Sequence, residues 1–333
     1  MVNDGGSYKG SIFQRCGGVA RNHAEALGRL GCETTLLTAV GNDDLADYLR
    51  TKSTVFDISH ANIARGISSA TYMSVNINGN IVHGFSSIEE SIASITPEYI
   101  LKKELLIAET DYIVIDGNLS ENSIKRIIDL AETHRKKVWF EPTDIAKATK
   151  ILKSDCHLKI HSISPNANEA AKLCEALGYE STQFSQFESN LSNFMEQETV
   201  SKFLENVGEL RMGFDLFAKN QKLSNVFITL GALGILGIHH DKRTDKVICF
   251  PIPPPSAGTK KIVSVSGAGD CFNSGFLASQ LYGHGFEQSV QIGRECAKES
   301  LLTINAVPES LNCIGEKLME NLVEHVHTEH CRH

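Results

Sequence analysis

The chain is 333 residues long, 41% hydrophobic and 22% charged, with a formal net charge of -8. That length buries a full core and that composition is ordinary for a globular protein, while the acidic balance argues against a surface built for nucleic acid. No apolar run reaches the roughly 18 residues of a membrane span, and the first residues lack the apolar centre of a secretory leader. Nine cysteines without a Cys-x-x-Cys pair argue against a zinc ribbon or a disulfide framework, so a reducing cytoplasmic location is expected.

Near the start, Gly17-Gly18-Val19-Ala20-Arg21-Asn22 sets a glycine pair before a helix expected over 18–30. The glycines allow a ligand close to the backbone, and Asn22, one turn on, can offer donor and acceptor to the vicinal hydroxyls of a sugar. Residues 35–40 read as a buried strand. Between 53 and 87, the alternation in Thr71-Tyr72-Met73-Ser74-Val75-Asn76-Ile77 before the Asn78-Gly79-Asn80 turn signals a hairpin. A small β lid is the preferred reading, with an edge extension of the main sheet as the alternative.

Further buried strands are expected at 112–116, 138–140 and 226–230, with helices at 121–134, 167–177 and 270–282. Short apolar strands alternating with amphipathic helices imply an α/β fold whose parallel sheet is covered on both faces. Residues 180–224 are polar and read as helical elements around loops. The tail carries His325, His327, His330, Cys331 and His333, groups that could ligate a metal, but a frayed helix is preferred and no role is assigned.

The run Val263-Ser264-Val265-Ser266-Gly267-Ala268-Gly269-Asp270 is the most informative segment. Three small residues turn the backbone so that its N–H groups converge where a helix begins, which makes an anion hole beside a carboxylate. This suits phosphoryl transfer, with amides on the phosphate and Asp270 taking the proton of the attacking hydroxyl. The chain has no Gly-x-x-x-x-Gly-Lys-Ser/Thr loop, and Gly231, Gly234 and Gly237 do not form Gly-x-Gly-x-x-Gly.

Together, Gly17-Gly18-x-x-x-Asn22 and Gly267-Ala268-Gly269-Asp270 resemble the two signatures of the PfkB (ribokinase-like) carbohydrate kinases, over nearly the whole chain. The resemblance implies one kinase domain over 1–333: a three-layer αβα sandwich with a mainly parallel central sheet and a β lid at about 53–87. It implies Asp270 as base, the amides of Gly267, Ala268 and Gly269 on the transferring phosphoryl group, and Gly17, Gly18 and Asn22 on the acceptor. Asn166 and Glu169 match the family's Asn-x-x-Glu motif, which tunes Mg²⁺ and phosphate binding through ordered water, although Glu169 could equally cap its helix. Thr229, Gly231 and Gly234 fall where the nucleotide phosphates and ribose lie, and Ala297 and Ser300 where small residues meet adenine.

The same resemblance implies ATP and Mg²⁺, a K⁺ ion beside the anion hole, and a homodimer clasped through the lid, while charge and hydropathy point to neither nucleic acid nor membrane as partner. Gly17–Asn22, Asp116-Gly117-Asn118-Leu119, Val138-Trp139-Phe140-Glu141-Pro142 and Val263–Ser266 look most like the pseudouridine kinases of this family. The implied reaction is phosphorylation of the pseudouridine 5′-hydroxyl. Another ribosyl acceptor (ribose, adenosine), or nucleotide binding without turnover, is the alternative. Two departures stand out. Residues 1–16 supply neither the buried first strand nor the sugar-binding Asp of the family, and Ser86-Ser87 stand where the lid of this branch carries an acidic residue.

Overall fold

The computed structural model describes residues 9–77, 80–179, 215–216, 219–255 and 261–330. Helix α1 (Val19–Arg29) leads to the short strand β1 (Ala39–Val40), helix α2 (Asp44–Lys52) and strand β2 (Asn62–Ile63). Strands β3 (Thr71–Ile77) and β4 (Asn80–Ser87) precede three short helices, α3 (Glu89–Ala93), α4 (Pro97–Leu101) and α5 (Glu104–Glu109). The centre alternates strand and helix: β5 (Tyr112–Asp116), α6 (Glu121–Thr133), β6 (Lys137–Glu141), a 3-10 segment (Ala148–Leu158), β7 (Ser162–Ile163) and α7 (Ala167–Leu177). Strands β8 (Asn225–Thr229), β9 (Ile235–Asp241) and β10 (Lys246–Ile252) follow, then helices α8 (Ala268–Leu281), α9 (Phe286–Leu301) and α10 (Leu311–His330).

Among the described residues, six strands form the main sheet in the order β10-β9-β8-β7-β6-β5. Strands β5 to β8 run parallel, whereas β9 and β10 return antiparallel. Alternate residues of a strand point to opposite faces, and both faces here are buried, which explains the unbroken apolar runs. On one face Phe140, Ile163, Val226 and Ile228 pack with Ile124, Ile128 and Leu173 of α6 and α7. On the other, Trp139 and Phe227 pack with Leu27 and Leu30 at the end of α1 and with Phe272 and Phe276 of α8. Their rings interlock: Trp139 stacks on Phe227 at 5.8 Å, and Phe276 meets Phe227 edge-on at 4.9 Å. These are the three layers of an α/β sandwich.

The expected strand at 35–40 is shorter than its apolar run suggests. Only Ala39–Val40 joins a ladder, a parallel pair with β2 outside the main sheet, extended by a bridge between Thr35 and Asp57. The hairpin β3–β4 is a third, antiparallel sheet and does not extend the main one. Asn78 and Gly79 of its turn, residues 180–214 and 217–218 of the polar stretch, and the N-terminal eight residues lie outside the described residues. The histidine-bearing tail is helical to His330, while its side chains from position 321 and residues 331–333 also lie outside them.

Candidate active site

Gly267 caps α8 with φ 82°, in the left-handed region, and a Cβ there would lie 2.1 Å from the carbonyl oxygen of Ala306. Only glycine fits both demands. Helix α8 then opens with Ala268, Gly269 and Asp270, whose early N–H groups lack an intrahelical acceptor and carry the positive end of the helix dipole. At Gly269 the nearest atom to a notional Cβ is Thr229 Cγ2 at 3.9 Å, so the space above the helix end is open.

Helix α1 meets this end of α8. The Asn22 amide donates to Asp270 Oδ2 at 2.7 Å, joining residues 248 apart in the chain. Its other atom, Oδ1, accepts from the Arg21 guanidinium, which fixes which way the amide faces. Arg21 is paired in turn with Glu25, and Arg29 holds the same carboxylate with bonds of 3.0 and 2.7 Å. His23, only 3% exposed, places Nδ1 3.0 Å from Ser274 Oγ and Nε2 3.7 Å from Asp270 Oδ1. Burial pulls its pKa down, against the pull of the Asp270 and Asp116 charges.

The remaining polar groups cluster at the carboxyl ends of the parallel strands, the edge where open α/β sheets bind ligands. Asp116, last in β5, accepts from the Asn118 backbone and side chain at 3.0 Å each and from the Ala20 N–H at 3.3 Å. Glu141, last in β6, accepts from the Ser164 hydroxyl and, at 3.0 Å, from Asn273 Nδ2 of α8. Trp139 Nε1 donates to the same Ser164 at 2.6 Å. Burial drives the Glu141 carboxyl pKa well above its ordinary value, and the nearby Asp270 charge adds to the rise.

Asn166 and Glu169 open α7 as a complete capping box: Asn166 Oδ1 accepts from Glu169 N at 3.0 Å, and Glu169 Oε2 accepts from Asn166 N at 2.8 Å. Burial also raises the Glu169 carboxyl pKa, with the backbone bond opposing it. Asn166 bridges to Thr229, whose N–H donates to Pro165 O at 2.9 Å. Gly231 and Gly234 bound the 3-10 turn after β8, where Leu230 N donates to Gly234 O at 2.8 Å.

Asn22, Thr229 and the Gly269–Asp270 helix end are thus brought together from three parts of the chain, with the Asn166–Glu169 box joined through Thr229. Gly17 and Gly18 lie exposed just before α1, and nothing approaches Gly17 within 4 Å of a notional Cβ. Ala297 and Ser300 sit within α9, buried, and the Ser300 hydroxyl donates to the Ala297 carbonyl at 2.8 Å. Sequence reasoning did not single out Asp116, Glu141 or His23 as site residues. For the first two the available signal was an acidic residue ending an apolar strand; nothing local marks His23.

The arrangement combines a helix-end anion cradle with a carboxylate held by an oriented amide, which can bind a phosphate and accept a proton beside it. Residues 3–311 match the family described as pfkB family carbohydrate kinase. A pseudouridine kinase of Arabidopsis thaliana is 25% identical over 340 residues, covering 91% of this chain and 86% of that protein. A pseudouridine kinase of Escherichia coli (strain K12) is 25% identical over 303 residues, covering 90% and 84%. The structure of Arabidopsis thaliana ribokinase complexed with ribose and ATP superposes with a TM-score of 0.68 at 14% identity, covering 91% of this chain and 86% of that one. The chain belongs to the pfkB family of carbohydrate kinases. It has the ribokinase-like α/β fold and is a phosphotransferase acting on a hydroxyl group.

Proposed function

We propose that the chain transfers the γ-phosphoryl group of ATP to the 5′-hydroxyl of pseudouridine, giving pseudouridine 5′-phosphate and ADP. The observation that carries phosphoryl transfer is the 2.7 Å bond from Asn22 to Asp270, by which the two signature segments meet at the mouth of the anion cradle. The choice of acceptor is supported by the two pseudouridine kinase relatives and by the segments around Asp116 and Glu141 that resemble that branch.

In the proposed reaction the acceptor oxygen forms its bond to the γ-phosphorus as the bridging β,γ oxygen departs in line, and the hydroxyl proton passes to Asp270. The N–H groups of Gly267, Ala268 and Gly269 face the charge that spreads over the transferring oxygens. Gly17, Gly18 and Asn22 border the acceptor; Thr229, Gly231 and Gly234 border the nucleotide phosphates, and Ala297 and Ser300 back the adenine.

Mg²⁺ fits this donor set. Glu141 and Glu169 are hard oxygen ligands whose pKa values burial raises, and no basic side chain is paired with either among the described residues. No group of three or more His, Cys, Asp or Glu is assembled to hold a metal among those residues, so the ion would be carried mainly by phosphate oxygens and water, with Glu169 reaching it through water. Bound there, it supplies neutralisation of the phosphate charge.

The test is ATP consumption with pseudouridine, uridine, adenosine, ribose and fructose, each with Mg²⁺ and with or without K⁺. Turnover with pseudouridine above the other acceptors is expected. Turnover confined to another acceptor overturns the substrate, and nucleotide binding without any turnover overturns the activity. Asp270→Asn is expected to lower turnover by roughly 10²–10⁴-fold, the scale of a general base. The hairpin β3–β4 leaves Tyr72 63%, Met73 56% and Phe85 57% exposed, which supports its meeting a second copy of the chain. Sedimentation equilibrium is then expected to return twice the mass of the chain.

A further inference from the structure

We propose that His23 is a positioning residue for Asp270, held by Ser274 so that its Nε2–H is aimed at the carboxylate oxygen that Asn22 leaves free. The inference rests on the reading of Asp270 as the base. Three contacts define it. Asn22 takes Asp270 Oδ2 at 2.7 Å, His23 Nε2 stands 3.7 Å from Asp270 Oδ1, and His23 Nδ1 lies 3.0 Å from Ser274 Oγ. His23 Nε2 is buried and has no hydrogen-bond partner. Most buried polar side-chain atoms are paired, and the nearest charged group to this unpaired nitrogen is the Asp270 carboxylate.

The tautomer follows from the neighbours. A neutral imidazole has one N–H and one lone pair. With the proton on Nδ1, the Nε2 lone pair would face the Asp270 carboxylate across 3.7 Å, an electrostatically unfavourable contact. With the proton on Nε2, the Ser274 hydroxyl donates to Nδ1 and the Nε2–H dipole points at Oδ1. The second arrangement satisfies Nδ1 and turns the Nε2–H, not a lone pair, toward the carboxylate. A separation of 3.7 Å is longer than a hydrogen bond, but such contacts commonly tighten when substrate fills a site.

The groups that act on this ring are Asp270 and Ser274 of α8 and the Asp116 charge of β5, while the charges of Asp270 and of Glu141 of β6 are close enough to influence each other. Burial keeps the imidazole neutral against the two aspartates. Its N–H therefore acts as a fixed dipole that favours the ionised, correctly turned carboxylate and leaves it the proton acceptor.

The test combines nitrogen NMR of imidazole-labelled protein with kinetics of His23→Leu, His23→Gln, Ser274→Ala and Asp270→Asn. The resonance lost on substitution of His23 should report a proton on Nε2 and a bare Nδ1, and Ser274→Ala should mix the tautomers. His23→Leu should lower kcat about tenfold with KM for ATP unchanged, the scale of one lost bond to a charged group. The acidic limb of its pH–rate profile should move up by about one unit. His23→Gln, whose amide nitrogen can take the place of Nε2, should recover most of both. If His23→Leu does not fold, the glutamine and Ser274 variants decide.

A His23 signal with the proton on Nδ1 overturns the proposal. So does wild-type kcat and acidic limb in His23→Leu, or a glutamine variant as impaired as the leucine one. Full turnover by Asp270→Asn instead removes the base assignment and this inference with it. An inactive Asp270→Asn beside an unaffected His23→Leu removes this inference alone.

Discussion

Asn22 gives Asp270 its one close donor among the described side chains, and Arg21 decides which end of the Asn22 amide does so. Asn22→Ala is expected to cost about 2 kcal/mol of transition-state stabilisation, some thirtyfold in kcat/KM, the usual scale of a hydrogen bond to a charged group. Steady-state kinetics on the variant checks it. Gly267→Ala is expected to fail differently, because both its φ of 82° and the 2.1 Å approach of Ala306 O oppose any Cβ. Its thermal midpoint should fall along with its activity. Glu169→Gln separates the two roles of that side chain: the cap acceptor for Asn166 N–H survives, so stability should hold, while the Mg²⁺ concentration for half-maximal rate should rise. At this scale Asp270 and Asn22 were legible because small residues and a polar side chain surround a helix start in each motif. His23 was not, because its meaning depends on a contact with Asp270 far along the chain.

In the main sheet, the strands found from sequence were those whose apolar runs are covered on both faces, while the exposed hairpin strand β3 was found by its alternation before a turn. Tyr112–Asp116, Lys137–Glu141 and Asn225–Thr229 stand out as apolar runs, and helices α1, α6, α7 and α8 fall within two residues of their expected bounds. Strand β7 escaped notice because it is two residues long and begins with a serine. No strand is expected from sequence over β9 and β10, because Gly237 interrupts the apolar pattern within β9. The run at 35–40 misled in the other direction, since an apolar segment can be buried beside a sheet without joining its ladder. Trp139 ties two elements to the site, stacking on Phe227 and donating to the Ser164 that holds Glu141. Trp139→Ala should therefore cost about 3–5 kcal/mol in urea unfolding, as large aromatic truncations do. Trp139→Phe should cost less stability yet still loosen Glu141.

Across the whole molecule, buried ionisable groups set opposing responses to pH. His161 accepts the Val138 N–H on Nδ1 at 3.1 Å and needs that lone pair bare; burial lowers its pKa from 6.5 to about 4. A depressed histidine contributes stability that is complete above the unfolded value and is lost as pH falls through the folded one. Glu141 and Glu169, whose pKa values burial raises, work the other way: their contribution is complete at low pH and is lost as pH rises through their folded values. His161→Asn keeps an acceptor for Val138 but cannot titrate, so wild type should lose thermal stability relative to it between pH 6.5 and about 4. No helix among the described residues is long and apolar enough to cross a membrane. The bond between Asn22 and Asp270 spans 248 residues, so on a ribosome adding about 5–20 residues per second the base is made roughly 12–50 seconds after its partner. During that interval α1 has no α8 to cover its apolar side, and a nascent chain released early would carry neither a closed core nor a working site.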